Sequence, residues 1–275
     1  MNEAIQSTRR VRDLLIHDSP ALRRLSGIKG GYAACALPWD DLVKAAREAA
    51  PSAVLIVAPF DGPALPVPDP RLPELIAASA GVVPVLALVP FQGAFTAAVR
   101  TLLDQGVTDI ADVDLETTAN AIRPRLQAVH AQPLKRLVEP ALSRFASANT
   151  RTLVRAAAEV AVDGGTAVDL AEVFRSTERT VSGWCAREAL PPPRRLLAWL
   201  RLVLALSLLE SPQRSVAKAA RGAGYSFDHS LRRAVRDMLG GDAPPRERTV
   251  SQALDAFASE LRLLREQRRQ EKRAA

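Results

Sequence analysis

Cysteine is nearly absent: 275 residues contain two, Cys35 and Cys185. They lie far apart in the chain, which argues against a disulfide framework and fits a reducing cytosol. The expected location is cytoplasmic. Aromatics make up 4% of the residues, so packing has to rest on Leu, Val and Ala. Histidine occurs three times, at His17, His130 and His229, in elements not expected to meet. The chain has no HExxH, no paired CxxC, no nucleophile elbow and no Walker loop. Gly27 to Gly31 lacks the strand–GxGxxG–helix setting of a dinucleotide site. No catalytic residue, metal ligand or cofactor is therefore implied. Leu202 to Leu209, the longest apolar run of the second half, is far too short to span a bilayer. Met1 to Gln6 lacks the charged-then-apolar pattern of a leader, so no membrane partner is expected.

What the chain does contain is Ala, Leu and Arg, with an apolar content of 48%, enough for a full core. Its length corresponds to about two domains. The formal charge is +7, unevenly placed. Residues 1–148 hold 15 Lys/Arg and 15 Asp/Glu, whereas residues 149–275 hold 22 and 15. All the excess positive charge falls in the second half, which points to a polyanionic partner there.

The first half alternates strand and helix signals. Residues 3–16 read as a helix with Ile5, Val11, Leu14 and Leu15 apolar. Tyr32 to Leu37, Ser52 to Val57, Val82 to Val89 and Val107 to Val113 read as strands. Continuous apolar runs such as Ser52 to Val57 suit parallel strands buried on both faces. Helices are expected from Pro38 to Ala49, Leu72 to Ala80 and Ala94 to Gln105. Thr117 to about Phe145 is helical, with Pro124, Pro133 and Pro140 as breaks or kinks. This rhythm predicts a doubly wound α/β layer. Over roughly residues 30–130 it resembles a response-regulator receiver domain, in rhythm and hardly at all in motif. The resemblance would put a phospho-accepting Asp at the end of the third strand, but that strand ends Val57-Ala58-Pro59-Phe60. The strand ending Ala111-Asp112-Val113 lacks the family's Lys, and the first strand with its acidic pair has no clear counterpart. The resemblance thus implies a degenerate, phosphorylation-independent receiver-like domain over 1–132, engaged in protein contact.

A helical connector, 133–148, leads into the second half. Asn149 to Thr152 cap a helix to Val162, and Gly164-Gly165 stop it. A short helix over 166–175 precedes a turn at Ser176-Thr177 and a helix from Glu178 to Leu190. At 100° per residue, Val181, Trp184 and Cys185 share one face; Arg179, Ser182, Gly183 and Ala186 oppose them, with Thr180 and Arg187 on the flank. Within the stretch Pro192 to Gly240, Arg194 through Leu209 reads as an amphipathic helix of about five turns. The short-helix, turn, helix pattern then repeats. Ser215 to Tyr225 leads to Ser226 as the cap of Phe227 to Leu239. Leu231, Val235, Met238 and Leu239 form its buried stripe, and His229, Arg232, Arg233 and Arg236 lie opposite. Thr249 to Glu271 is a last helix with a basic end, Arg265 to Arg273, fit for phosphate contacts, a dimer seam or a solvated face.

Residues 149–248 closely resemble the DNA-binding domain of AraC/XylS-type transcription regulators. The first unit matches through Asp169-Leu170-Ala171 and Ser176 to Val181, and the linker helix through Leu200-Arg201-Leu202, Ala205 and Leu208-Leu209. The second unit matches through Ser215-Val216, Ala219-Ala220, Gly224-Tyr225-Ser226, Leu231, Val235, Arg236, Gly240 and Pro244. Gly183 departs from the usual polar residue, Gly241-Asp242-Ala243 lengthens the step to Pro244, and Leu231 and Val235 replace a Phe pair. The resemblance implies an all-α domain with two helix-turn-helix units on a linker helix. Their recognition helices would enter major-groove segments about 34 Å apart. Expected DNA contacts are Arg179, Thr180, Ser182 and Arg187 from the first, and Asp228, His229, Arg232, Arg233 and Arg236 from the second. The partner this implies is double-stranded DNA; a homodimer through the N-terminal domain or the terminal helices (the C-terminal one spanning 249–275) is a further candidate. The alternative is a protein-interaction or dimerisation module with a decayed or non-specific DNA-binding domain.

Overall fold

The computed structural model describes residues 11–28, 31–60, 67–79, 81–91, 95–142 and 146–274. The chain divides into two compact units, Met1–Gln132 and Pro133–Ala275.

The first unit is built on five parallel strands: β1 (Arg12–His17), β2 (Tyr32–Leu37), β3 (Val54–Val57), β4 (Val85–Val89) and β5 (Asp109–Asp112). Their order is β2-β1-β3-β4-β5. β2 to β5 coincide with the four apolar runs. β1 corrects the sequence reading, because Arg12–His17 is a strand where a helix over 3–16 is expected; residues 3–10 lie outside the described residues. Val11, Leu14 and Leu15 fit helical spacing, but Leu14 and Ile16 alternate into the core. β1 also pairs on both sides, Leu14 with Ala34 and Leu15 with Leu55 among others. Two ladders outweigh a weak local preference. β1 is thus an interior strand of the sheet, between β2 and β3.

Alternation along the strands divides the core. Leu14, Ile16, Val54, Ile56, Leu86 and Leu88 form one cluster with Leu22 and Leu25 of a 3-10 turn, Pro20–Gly27, and with Ile122 and Leu126. The last two belong to α4 (Ala119–Val129). Leu55, Val57, Val85 and Ala87 are buried as well, so β3 and β4 are apolar throughout. α1 (Trp39–Glu48) buries Trp39, Leu42, Val43 and Ala46 and packs on β1 and on α2 (Leu72–Ala78). α3 (Phe95–Gln105) ends at Gly106, whose φ of +108° admits glycine with least strain. Pro124 does not break α4 but lies inside it.

β2 is an edge strand. Cys35 is exposed there although its strand is an apolar run, whereas Cys185 is buried. Desolvation pushes the Cys185 thiol up to about 11. A disulfide-exchange reagent at pH 8 is therefore expected to titrate one thiol in the native protein and two in denaturant. Two reacting thiols in the native protein would contradict the burial of Cys185.

The second unit is helical: α5 (Gln132–Val138), α6 (Ala148–Val162), α7 (Ala167–Val173), α8 (Glu178–Arg187), α9 (Pro193–Leu209), α10 (Val216–Gly222), α11 (Asp228–Leu239) and α12 (Val250–Ala274). The stretch read as a connector is tied into it by Lys135–Glu159 at 2.6 Å and Arg151–Glu139 at 3.0 Å. α6 starts at Ser147, whose hydroxyl accepts the Thr150 amide at 3.0 Å, two residues before the expected caps. α7 opens on a capping box in which Thr166 and Asp169 satisfy each other's end of the helix.

α9 is the hub. From Leu202 to Leu209 every side chain is buried, so the expected amphipathic helix is buried all round over that stretch. The reason is that α6, α7, α8, α10, α11 and α12 all pack against it. Its polar exceptions are used. The Arg195 guanidinium donates to Glu260 Oε2 at 2.9 Å, and Trp199 Nε1–H donates to the same oxygen at 2.8 Å. Arg201 donates to the Gly165 carbonyl.

Candidate nucleic-acid interface

α7 packs on α8 and both pack on α9; α10 packs on α11 and both pack on α9. One helix thus carries two pairs of similar build. The turn of the second pair is held by Gly224 at φ +81°, where an added Cβ would meet Gly164 Cα at 3.2 Å and Arg201 Nε at 3.3 Å. The next residue, Tyr225, has a phenol pushed up to about 12 by burial. The Gly164-Gly165 turn, Arg201 and the Gly224-Tyr225 turn therefore touch, which locks the α6–α7 and α10–α11 turns to one point of α9.

α8 starts at Thr177, whose hydroxyl accepts the Thr180 amide at 3.2 Å. Val181 and Cys185 are fully buried, and Trp184 meets Phe174 edge-on at 5.6 Å. This leaves Arg179, Thr180 and Arg187 exposed, with Ser182 half-buried. The Thr180 hydroxyl lies 2.9 Å from that of Thr177 and so takes part in the cap. Glu178 pairs with Arg194 at 3.6 Å. The exposed cations of α8 are thus one at its start and one at its end. Arg179 is not joined to Arg187 in one patch, because eight residues separate them by about 12 Å along the axis.

Gly183 lies between them, and a Cβ there would meet nothing within 4 Å. Nothing in the packing requires glycine. Gly183→Ala is expected to stabilise the second unit by about 0.5–1 kcal/mol through helix propensity, read as a rise in urea midpoint. A fall in midpoint would mean that the position is more crowded than this.

α11 carries the denser charge. Leu231 and Val235 are buried, Met238 and Leu239 half-buried, and His229, Arg232, Arg233 and Arg236 line the other side, with Arg232, Arg233 and Arg236 exposed. Asp228 sits in the first turn, where its charge suits the helix dipole. Each arginine has a carboxylate nearby: Arg232–Asp228 at 3.4 Å, Arg233–Asp237 at 3.5 Å and Arg236–Asp242 at 3.4 Å. Exposed pairs of this kind contribute about 0.2–1 kcal/mol, little enough for a phosphate to displace the carboxylate. His229 stacks on Phe227 with centroids 5.2 Å apart and planes at 12°. The helix begins one residue later than read, with Phe227 as its N-cap and 61% exposed. Sequence reasoning passes over Phe227 because an apolar residue next to a helix start reads as core. By helical spacing it continues the Leu231–Val235 stripe, four residues before Leu231, so no local signal marks it as exposed.

Arg187 has neighbours that no local pattern announces. Arg265, Arg268 and Arg269 of α12 line the same surface depression, and the Arg268 guanidinium donates to the Ala186 carbonyl at 3.0 Å. Among the described residues no group of three His, Cys, Asp or Glu side chains has metal-holding geometry, and no helix is long and apolar enough to cross a membrane. No family model, no curated protein and no solved structure matches the chain.

Proposed function

We propose that residues 149–248 are the sequence-specific, duplex-DNA-binding part of a cytoplasmic bacterial transcription regulator of the AraC/XylS type. In this reading α7–α8 and α10–α11 are its two helix-turn-helix units and α9 is the linker. One observation carries the proposal: two short-helix, turn, helix pairs sit on the same central helix, and each outer helix backs a buried stripe with a polar, arginine-bearing face. A linker of 17 residues spans about 25 Å, compatible with major-groove segments about 34 Å apart. Arg232, Arg233 and Arg236 supply phosphate and guanine contacts, with His229 and Asp228 at the leading end of α11. Arg179, Thr180 and Ser182 act from α8, with Arg187 at its end.

The first unit reads as a receiver-like domain that works without phosphorylation. Strand order β2-β1-β3-β4-β5 is the order of flavodoxin-like sheets, which favours this. β3 runs into Ala58-Pro59-Phe60 and β5 into Asp112-Val113, so neither the phospho-accepting Asp nor the Lys is in place. A second reading, a dimerisation or interaction module whose DNA-binding half no longer reads sequence, is favoured by Gly183 and by edge strand β2, where Cys35 is exposed.

Selection from a random duplex pool by the full chain at near-physiological salt tests the proposal. A bipartite motif with elements about one helical turn apart is the expected result. A single short element would leave one unit reading bases. No enrichment would overturn the regulator reading in favour of the interaction module.

A further inference from the structure

Four arginines line one surface depression where the end of α8 meets the C-terminal part of α12. Arg265, Arg268 and Arg269 lie at i, i+3 and i+4 of α12, which places them on one helical face. Arg187 closes the cluster from the last turn of α8. The depression they help to line has a volume of about 270 Å³. The bond from Arg268 to the Ala186 carbonyl fixes α12 against the carbonyl end of α8, where a cation suits the helix dipole.

The arginines of α11 each have a carboxylate within 4 Å. The single carboxylate lining the depression, Glu188, acts on Arg268 through space and has its Oε2 engaged by two hydroxyls of α6 and its cap. It accepts the Ser147 hydroxyl at 2.5 Å and the Thr150 hydroxyl at 2.9 Å. The Ser147 hydroxyl, chiefly, holds its pKa below the ordinary value, so it stays ionised and stays on the α6 cap. Four like charges around one carboxylate are left with an excess of positive charge and repel one another. An anion with several oxygens relieves that repulsion, and guanidinium forks match a phosphate in geometry.

We infer that this Arg187–Arg265–Arg268–Arg269 depression is a phosphate clamp for the DNA backbone flanking the segment read by α8. The inference rests on the DNA-binding reading of α8. The clamp lies at the opposite end of α8 from Arg179 and Thr180, about 12–15 Å along the helix, so α12 adds the neighbouring backbone to the footprint. The clamp contributes affinity and salt dependence and no base preference.

The test is binding of the full chain to its selected duplex over a potassium chloride series, for wild type, Arg265→Gln/Arg269→Gln and Arg187→Gln. Arg268 is left in place because its guanidinium holds the α8–α12 junction. The double variant is expected to lower the slope of log K against log salt by about 2, at about 0.9 for each phosphate no longer neutralised, and to weaken binding on the order of 10- to 100-fold at physiological salt. Arg187→Gln is expected to lower the slope by about 0.9 with the base preference unchanged. A wild type that binds with a slope equal to that of both variants overturns the clamp and leaves the DNA reading standing. A wild type that binds no duplex overturns the reading of α8 and the clamp with it. Saturable binding of inorganic phosphate at these side chains, seen by NMR, with an unchanged salt slope assigns the depression to a free anion and overturns the clamp.

Discussion

Arg232→Ala/Arg233→Ala is expected to weaken binding to the selected duplex on the order of 100-fold at physiological salt, with little change in stability. A well-placed arginine contact to a base edge discriminates by about 1–3 kcal/mol, so losing two costs about 2–6 kcal/mol of binding. Both side chains are exposed, and the pairs they leave, Arg232–Asp228 and Arg233–Asp237, are solvent-facing i,i+4 pairs worth about 0.3–0.5 kcal/mol each. The variant should therefore keep its urea midpoint and lose its shift of labelled duplex. If Arg232 and Arg233 touch bases, the base preference of the α11 half-site relaxes; if they touch phosphates alone, affinity falls evenly over all sequences. Full affinity in the double variant would remove α11 from the interface.

Trp199→Ala is expected to destabilise the second unit by about 3–5 kcal/mol, the usual cost of truncating a buried aromatic. Trp199 is 1% exposed, and its ring lies 5.7 Å from Phe257. Its Nε1–H donates to Glu260, and Arg195 sits over the ring at 5.3 Å while holding the same carboxylate. This cluster fastens α12 to α9. Its loss leaves Glu260 and Arg195 with a solvent-facing pair and frees the helix that carries Arg265 to Arg269. Small domains have about 5–15 kcal/mol in all, so the change is a large fraction of stability and moves the urea midpoint strongly, read by far-UV circular dichroism. Trp199→Phe keeps most of the apolar contact, loses one charge-assisted hydrogen bond, and should cost about 1.5–3 kcal/mol. A loss under about 1 kcal/mol for the alanine variant would show that α12 does not unfold with the rest of the unit.

The strands buried on both faces are legible in the sequence because their signal is local. Val54–Val57 and Val85–Val89 are unbroken apolar runs, and both faces of the sheet are covered there. α8 and α11 are legible for a similar reason, since Val181 and Cys185, or Leu231 and Val235, repeat at helical spacing with charge between them. β1 is not. Its apolar residues satisfy both periods, and the ladders to β2 and β3 that decide between them are made with residues about 20 and 40 positions away. Cys35 reads as core because Tyr32 to Leu37 is apolar, yet its strand lies at the sheet edge. α9 reads as one-faced because its arginines Arg194, Arg195 and Arg201 mark a polar side; two of them are spent on Glu260 and the Gly165 carbonyl.

By themselves the residues determined β2 to β5, most of the helices, the surplus of positive charge in the second half and the outward arginines of α11. These properties depend on neighbours within a turn or two, or on simple counting. The tertiary structure alone decided which strand lies at the edge, that α9 is enclosed on nearly all sides, and that Arg187 meets Arg265, Arg268 and Arg269. Those outcomes depend on contacts between residues far apart in the chain, such as Arg268 with the Ala186 carbonyl 82 residues away. A periodic pattern carries no information about where a distant helix end will come to rest.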